Sequence, residues 1–134
     1  MHKLSNEDFQ LLGILDSRTG ARAIDVLNAE SLVFLLEKGE LGKAIGKGGA
    51  NLERLRHVFG KNVEFVEYSS ELSEFVKNLF KPAEVLGVDK RGNELAVKVD
   101  AAKKGLAIGR GGEKIKRAKL LLNKYFGIEN LKVL

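Results

Sequence analysis

Cysteine is absent from the 134 residues, and there are only two histidines, His2 and His57. The first absence excludes a disulfide framework, a thiol nucleophile and a thiolate metal site, and two imidazoles are too few for a His-rich one. No apolar run approaches the ~20 residues that a membrane-spanning helix needs. The amino terminus, Met1-His2-Lys3-Leu4-Ser5-Asn6-Glu7-Asp8, has neither an apolar h-region nor a small-residue cleavage site, so no export signal is expected and the chain reads as cytoplasmic. What is present, 44% hydrophobic and 31% charged residues, describes a globular protein with room for one ordinary domain or two small ones. No metal, cofactor, small-molecule substrate or membrane partner is expected.

Charge is unevenly placed. Residues 1–67 hold 9 basic and 10 acidic side chains, whereas residues 68–134 hold 14 and 8, so the net +5 comes from the carboxyl half. Two segments are locally positive: Lys38 to Lys61 with six basic and two acidic residues, and Lys103 to Lys124 with eight and one. Such an excess suits a polyanion partner through counterion release, although a solvated face also looks like this.

Sliding the sequence against itself at an offset of 63 aligns Ser31–Arg56 with Glu94–Lys119 without a gap, with eight of 26 positions identical. The identities include Gly42/Gly105, Ala44/Ala107, Ile45/Ile108, Gly46/Gly109, Gly48/Gly111, Gly49/Gly112 and Arg54/Arg117, and Lys47/Arg110 keeps its charge. The string Ile-Gly-basic-Gly-Gly thus occurs twice in register, against a chance expectation of ~10⁻³ per chain. A duplicated tight helix-helix turn would also need glycine, but it would not need the basic residue at the tip.

Around each string the same elements are predicted. Ser5-Asn6-Glu7-Asp8 resembles a capping box opening a helix with apolar Phe9, Leu11, Leu12 and Leu15, ending near Thr19-Gly20. In the second copy Ser70 is the expected cap before Leu72, Phe75, Val76, Leu79 and Phe80, a helical stripe that Pro82 ends. Strands follow at Ile24–Leu27 or Val85–Val88, then a turn, plainest at Asp89–Asn93, and strands at Leu32–Leu36 or Leu95–Val99. A short helix from Leu41 or Lys103 enters the glycines. The next helix has core positions Leu52, Leu55 and Phe59, or Ile115, Ala118 and Leu122. A last strand, Val63–Val66 or Leu131–Leu134, gives each unit the order α-β-β-α-α-β.

Glycines without β-carbons let a polymer backbone come within hydrogen-bonding distance of the loop. The following helix then aims its N–H groups and positive dipole end at that polymer, which suits phosphate. Lys47 and Arg110 add cations at the tips. Arg54 and Arg117 are expected on the outer face of the following helix, joined in the second copy by Lys114. Ile45 and Ile108, beside the first glycine, are expected to face inward and floor a groove for bases, with plain core packing as their other role.

This order, with I-G-x-x-G between the central helices, resembles the type II KH domain, and two such units in one chain resemble the archaeal NusA family. The resemblance implies an α+β fold of two tandem type II KH domains, at 1–67 and 68–134, each with a three-stranded sheet covered on one face by helices. It also implies RNA-clamping positions at Gly46, Lys47, Gly48 and Gly49 and at Gly109, Arg110, Gly111 and Gly112. The expected partner is single-stranded RNA, with RNA polymerase or ribosomal components as further partners, in transcription elongation or termination. Bacterial members carry additional domains that 134 residues do not accommodate.

Other readings fit less well. Gly42-Lys43-Ala44-Ile45-Gly46-Lys47-Gly48 is one residue short of a P-loop and has Gly48 where Ser or Thr would hold Mg²⁺. An RRM needs aromatics on its central strands, and these strands offer only Phe34. Glu40, Glu53 and Glu113 near the loops form no acid-base pair, so no enzyme is expected. A ribosome-associated or RNA-processing KH protein remains within the same class. An adaptor that has lost RNA binding is the alternative from another class, and it would not need Lys47 and Arg110.

Overall fold

A computed structural model describes residues 3–134; His2 lies outside the described residues. The chain mixes α and β and divides into two units, Lys3–Ser69 and Ser70–Leu134.

In the first unit α1 (Asn6–Thr19) begins with the expected capping box. Ser5 Oγ accepts the Asp8 N–H at 3.1 Å, and the Asp8 carboxylate accepts the Ser5 N–H at 2.9 Å. Next come β1 (Ala23–Asn28) and β2 (Leu32–Leu36), paired antiparallel, then α2 (Leu41–Ile45), α3 (Ala50–Phe59) and β3 (Val63–Glu67), which runs parallel to β2. Parallel neighbours need a crossover, and here the crossover is the α2-loop-α3 segment that carries the glycine string. Alternation along β2 points Leu32, Phe34 and Leu36 at the helices, where they form one buried cluster with Leu15, Val26, Ala44, Leu55 and Val63.

The lone aromatic of β2 belongs to this core. Phe34 is fully buried, with the rings of Phe59 and Phe65 at 6.1 and 6.2 Å. Phe9, expected in the stripe of α1, is instead 58% exposed. It lies two residues before Leu11, about 200° around the helix, so it points away from the face that Leu11, Leu12 and Leu15 share.

The second unit consists of α4 (Leu72–Phe80), β4 (Val85–Arg91), β5 (Glu94–Val99), α5 (Lys104–Ile108), α6 (Glu113–Phe126) and β6 (Asn130–Val133). Its sheet has the same order and senses as the first, β4 antiparallel to β5 and β5 parallel to β6. Both sheets skip one residue of the outer strand, Ile24 in one and Leu86 in the other. Two expectations need correction. Helix α4 is capped at Glu71, without a side-chain bond, rather than at Ser70. The turn expected at Asp89–Asn93 is only Gly92-Asn93, because β4 stays paired out to Arg91 and Gly92 takes the positive φ of 60° that so tight a hairpin requires. The α4 face is anchored by buried Phe75, Val76, Leu79 and Phe80, with Phe75 stacked on Phe126 of α6 at 5.5 Å.

Leu55, 1% exposed, is the residue that seats α3 on the first sheet. Leu55→Ala should lower unfolding free energy by about 3 kcal/mol in urea denaturation, as expected for a cavity under a helix. A loss below about 1 kcal/mol would mean that α3 is held by something else.

Candidate nucleic-acid interface

The two glycine loops have one backbone conformation. Gly46, Gly48 and Gly49 have φ/ψ of 77/171°, 63/19° and 79/11°, and Gly109, Gly111 and Gly112 have 80/168°, 63/19° and 74/15°. All six φ values are positive, which costs a residue with a β-carbon about 1 kcal/mol or more. Each loop spends two of its amides on itself: Gly46 and Gly49 donate to Gly42 and Gly46 carbonyls at 2.9 and 3.1 Å, and Gly109 and Gly112 to Gly105 and Gly109 at 3.0 and 3.1 Å. The N–H groups of Lys47 and Gly48, and of Arg110 and Gly111, precede the first bond of the turn and have no place in its pattern. Immediately after them α3 and α6 begin at Ala50 and Glu113, with Gly49 and Gly112 as N-caps that supply no side-chain bond. Each loop therefore leaves two adjacent amides outside its backbone bonds at the positive end of a helix, an arrangement that suits an anion.

The glycines divide the work. A β-carbon on Gly46 would lie 2.7 Å from Asn51 Cγ, and one on Gly109 would lie 2.7 Å from Lys114 Cβ and 2.9 Å from Lys114 N. The first glycine thus lets the next helix press against the loop. At Gly48 and Gly111 a β-carbon would meet nothing within 4 Å, so this side of the loop is open. Asn51, which the sequence reading did not single out, ties the two helices of the first unit: its Nδ2 donates to the Lys43 carbonyl at 2.9 Å, near the end of α2. A sequence signal was hard to find because the second copy has lysine at that position.

The expected side chains are partly brought together. Lys47 and Arg110 are exposed at the loop tips, and Arg54 is exposed on α3. Arg117 is not on an outer face: it is buried, 9% exposed, because it lies four residues before Leu121 on the stripe that α6 buries with Ala118 and Leu122. Lys114 is also placed differently, with its ammonium donating to the Lys81 carbonyl at 2.7 Å. Ile45 and Ile108 are half-buried, while the residues turned fully inward are Ala44 and Ala107. The isoleucines line the edge of each loop rather than the core.

Around the first loop, Glu53 pairs with Arg56 at 3.1 Å and Glu40 with Lys43 at 3.3 Å. The Arg22 N–H, donating at 3.0 Å, and then Lys43 hold the Glu40 carboxyl below the usual carboxylate range. Among the described residues no group of three His, Cys, Asp or Glu is placed to hold a metal, and no helix is long and apolar enough to cross a membrane. Beside the loop, Arg18, Thr19, Asn51, Arg54 and Leu55 line a cavity of about 210 Å³.

Alanine substitutions should separate the two glycine roles. Gly48→Ala and Gly111→Ala should cost about 1 kcal/mol, the price of a positive φ. Gly109→Ala should cost about 3 kcal/mol, because backbone as well as side chain must move, with Gly46→Ala between them since the Asn51 amide can swing aside. Thermal or urea unfolding checks this order, and equal losses at all four positions would contradict it.

The comparisons with known proteins agree on one family. A family model described as the NusA-like second KH domain matches residues 72–133, the second unit from α4 to β6. The chain is 38% identical over 136 residues to the probable transcription termination protein NusA of Methanococcus vannielii, covering 98% of this chain and 79% of that one. It is 34% identical over 135 residues to the protein of the same name from Halobacterium salinarum, covering 98% and 97%. The crystal structure of APE1850 superposes with a TM-score of 0.80 at 38% identity, covering 98% of this chain and all of that one. The mixed α+β architecture, with its two three-stranded sheets, fits a KH-type fold. The chain belongs to the archaeal NusA family.

Proposed function

We propose that this chain is a non-enzymatic, single-stranded RNA-binding protein of transcription elongation or termination, built from two tandem type II KH domains at residues 1–67 and 68–134. The observation that carries the reading is the pair of glycine loops, whose corresponding dihedrals differ by no more than 5°. The family model covers only the second unit. Its extension to the first rests on the shared loop conformation and on the same sequence of strand pairings around it.

In this reading an unpaired ribose-phosphate strand lies along each loop. The Lys47 and Gly48 amides, or those of Arg110 and Gly111, donate to one phosphate, and the tip cation screens the next. Ile45 or Ile108, half-buried at the edge, offers an apolar rest for a base. Gly49 and Gly112, with α3 and α6 behind them, add the helix-end field. Arg54 extends the phosphate track along α3. Duplex nucleic acid fits poorly, since clamps of this kind take about four nucleotides of splayed single strand. The relatives' names tie the family to transcription termination, and RNA polymerase is the partner that such a role calls for.

Binding of a single-stranded RNA 12-mer, followed by fluorescence anisotropy from 0.05 to 0.5 M salt, tests the reading. With about four phosphates neutralised per loop, log K should fall with log salt at a slope of about −5 to −6. Lys47→Asp with Gly48→Asp, or Arg110→Asp with Gly111→Asp, should each roughly halve that slope while circular dichroism stays native, because aspartate tolerates the left-handed backbone better than most residues. Wild-type affinity and slope in both double variants would transfer the chain to the adaptor class.

A further inference from the structure

The two units differ beside their loops, where their loop backbones agree. In the second unit the space between the end of α4 and the start of α6 is bridged from within, by the Lys114 ammonium on the Lys81 carbonyl at 2.7 Å. In the first unit the corresponding place, between the end of α1 and the start of α3, is open. It is the cavity of about 210 Å³ lined by Arg18, Thr19, Asn51, Arg54 and Leu55. Among the described residues, no ion pair or hydrogen bond engages the guanidinium of Arg18 or Arg54. The other polar groups of the cavity are largely occupied. The Thr19 hydroxyl donates to the Leu15 carbonyl at 2.7 Å and accepts the Ala21 N–H at 3.0 Å, and Asn51 is committed to the Lys43 carbonyl.

From this arrangement we propose that the Arg18-Arg54 cavity is a phosphate subsite, found in the first unit and not the second, that takes one further phosphate of the RNA strand held by the Gly46–Gly49 loop. The inference rests on the RNA-clamp reading above. Its chemistry is set by what lines the cavity: two exposed guanidiniums with no carboxylate among them, which suits a phosphate. Its size points the same way, since 210 Å³ falls below the ~300–1,000 Å³ of pockets that enclose a whole small ligand. Its position makes it continuous with the loop. Asn51, which lines it, is the residue against which Gly46 packs, so a strand leaving the loop along α3 meets Arg54 and then Arg18.

A consequence is that the first unit, although its acidic residues outnumber its basic ones by 10 to 9, holds RNA at more points than the second. There Lys114 is bound to Lys81, and Arg117 is buried.

The test is the same 12-mer titration on the full chain, with Arg18→Gln, Arg18→Lys and, as a charge-matched control, Lys3→Gln near the far end of the 14-residue helix α1, about 20 Å away. Removing one phosphate contact should flatten the slope by about 0.7 and weaken binding about 5-fold at 0.1 M salt, converging on wild type near 1 M. Arg18→Gln should do this, Arg18→Lys should recover most of it, and Lys3→Gln should stay within about 2-fold of wild type. Wild-type slope and affinity in Arg18→Gln, while the Lys47/Gly48 double variant still loses binding, would overturn the subsite and leave the clamp standing. An equal loss in Lys3→Gln would also overturn it, by reducing Arg18 to a contributor to overall charge. If the wild-type chain does not bind RNA at all, the clamp reading fails and the subsite fails with it.

Discussion

Each unit depends on one close approach, a helix start pressed against a residue that has no side chain. Gly46 and Gly109 hold a backbone conformation in which a β-carbon would come within 2.7 Å of the second residue of the following helix. That contact fixes where α3 and α6 begin. It also fixes the direction in which their uncapped N–H groups point, and so where the open peptide groups of Lys47-Gly48 and Arg110-Gly111 lie. The sheet and its core hold the helices at the required distance. The parallel pairing of β2 with β3 and of β5 with β6 requires a crossover, and the glycine packing leaves that crossover with open peptide groups beside a helix start.

Much of this was legible in the sequence because the signals are local and repeat at a fixed offset. The alignment of Ser31–Arg56 with Glu94–Lys119 placed the loops, and the alternation of Leu95, Val97 and Val99 placed the central strand of the second sheet. What was not legible depends on the third dimension. Arg54 and Arg117 align as identical residues, yet one is exposed and the other buried, because α6 buries a wider stripe that includes Leu121. Asn51 and Lys114 align as unlike residues, yet both bridge to an earlier element, one to α2 near its end and the other to Lys81 just past the end of α4. Identity across the repeat picked out the shared backbone and passed over the side chains that make the units differ.

That difference bears on function. Charge counting favours the carboxyl half, with 14 basic residues against 9, but a charge acts on a bound strand only where it is free and near the path. Several cations of the second unit are already used or hidden around its loop, whereas Arg18 and Arg54 of the first face an open cavity. Net charge sets the long-range attraction, and in the proposed clamp the local arrangement sets how many phosphates a strand could place there.

The central claim is that loop amides, not side chains alone, grip an unpaired strand. Two-dimensional ¹⁵N-¹H NMR of the full chain during titration with single-stranded RNA tests it most directly. The amide resonances of Lys47, Gly48, Arg110 and Gly111 should shift in proportion to bound RNA and stay in place with duplex DNA of equal length. Resonances that remain still while anisotropy shows the RNA bound to saturation would contradict the account, whatever the affinity.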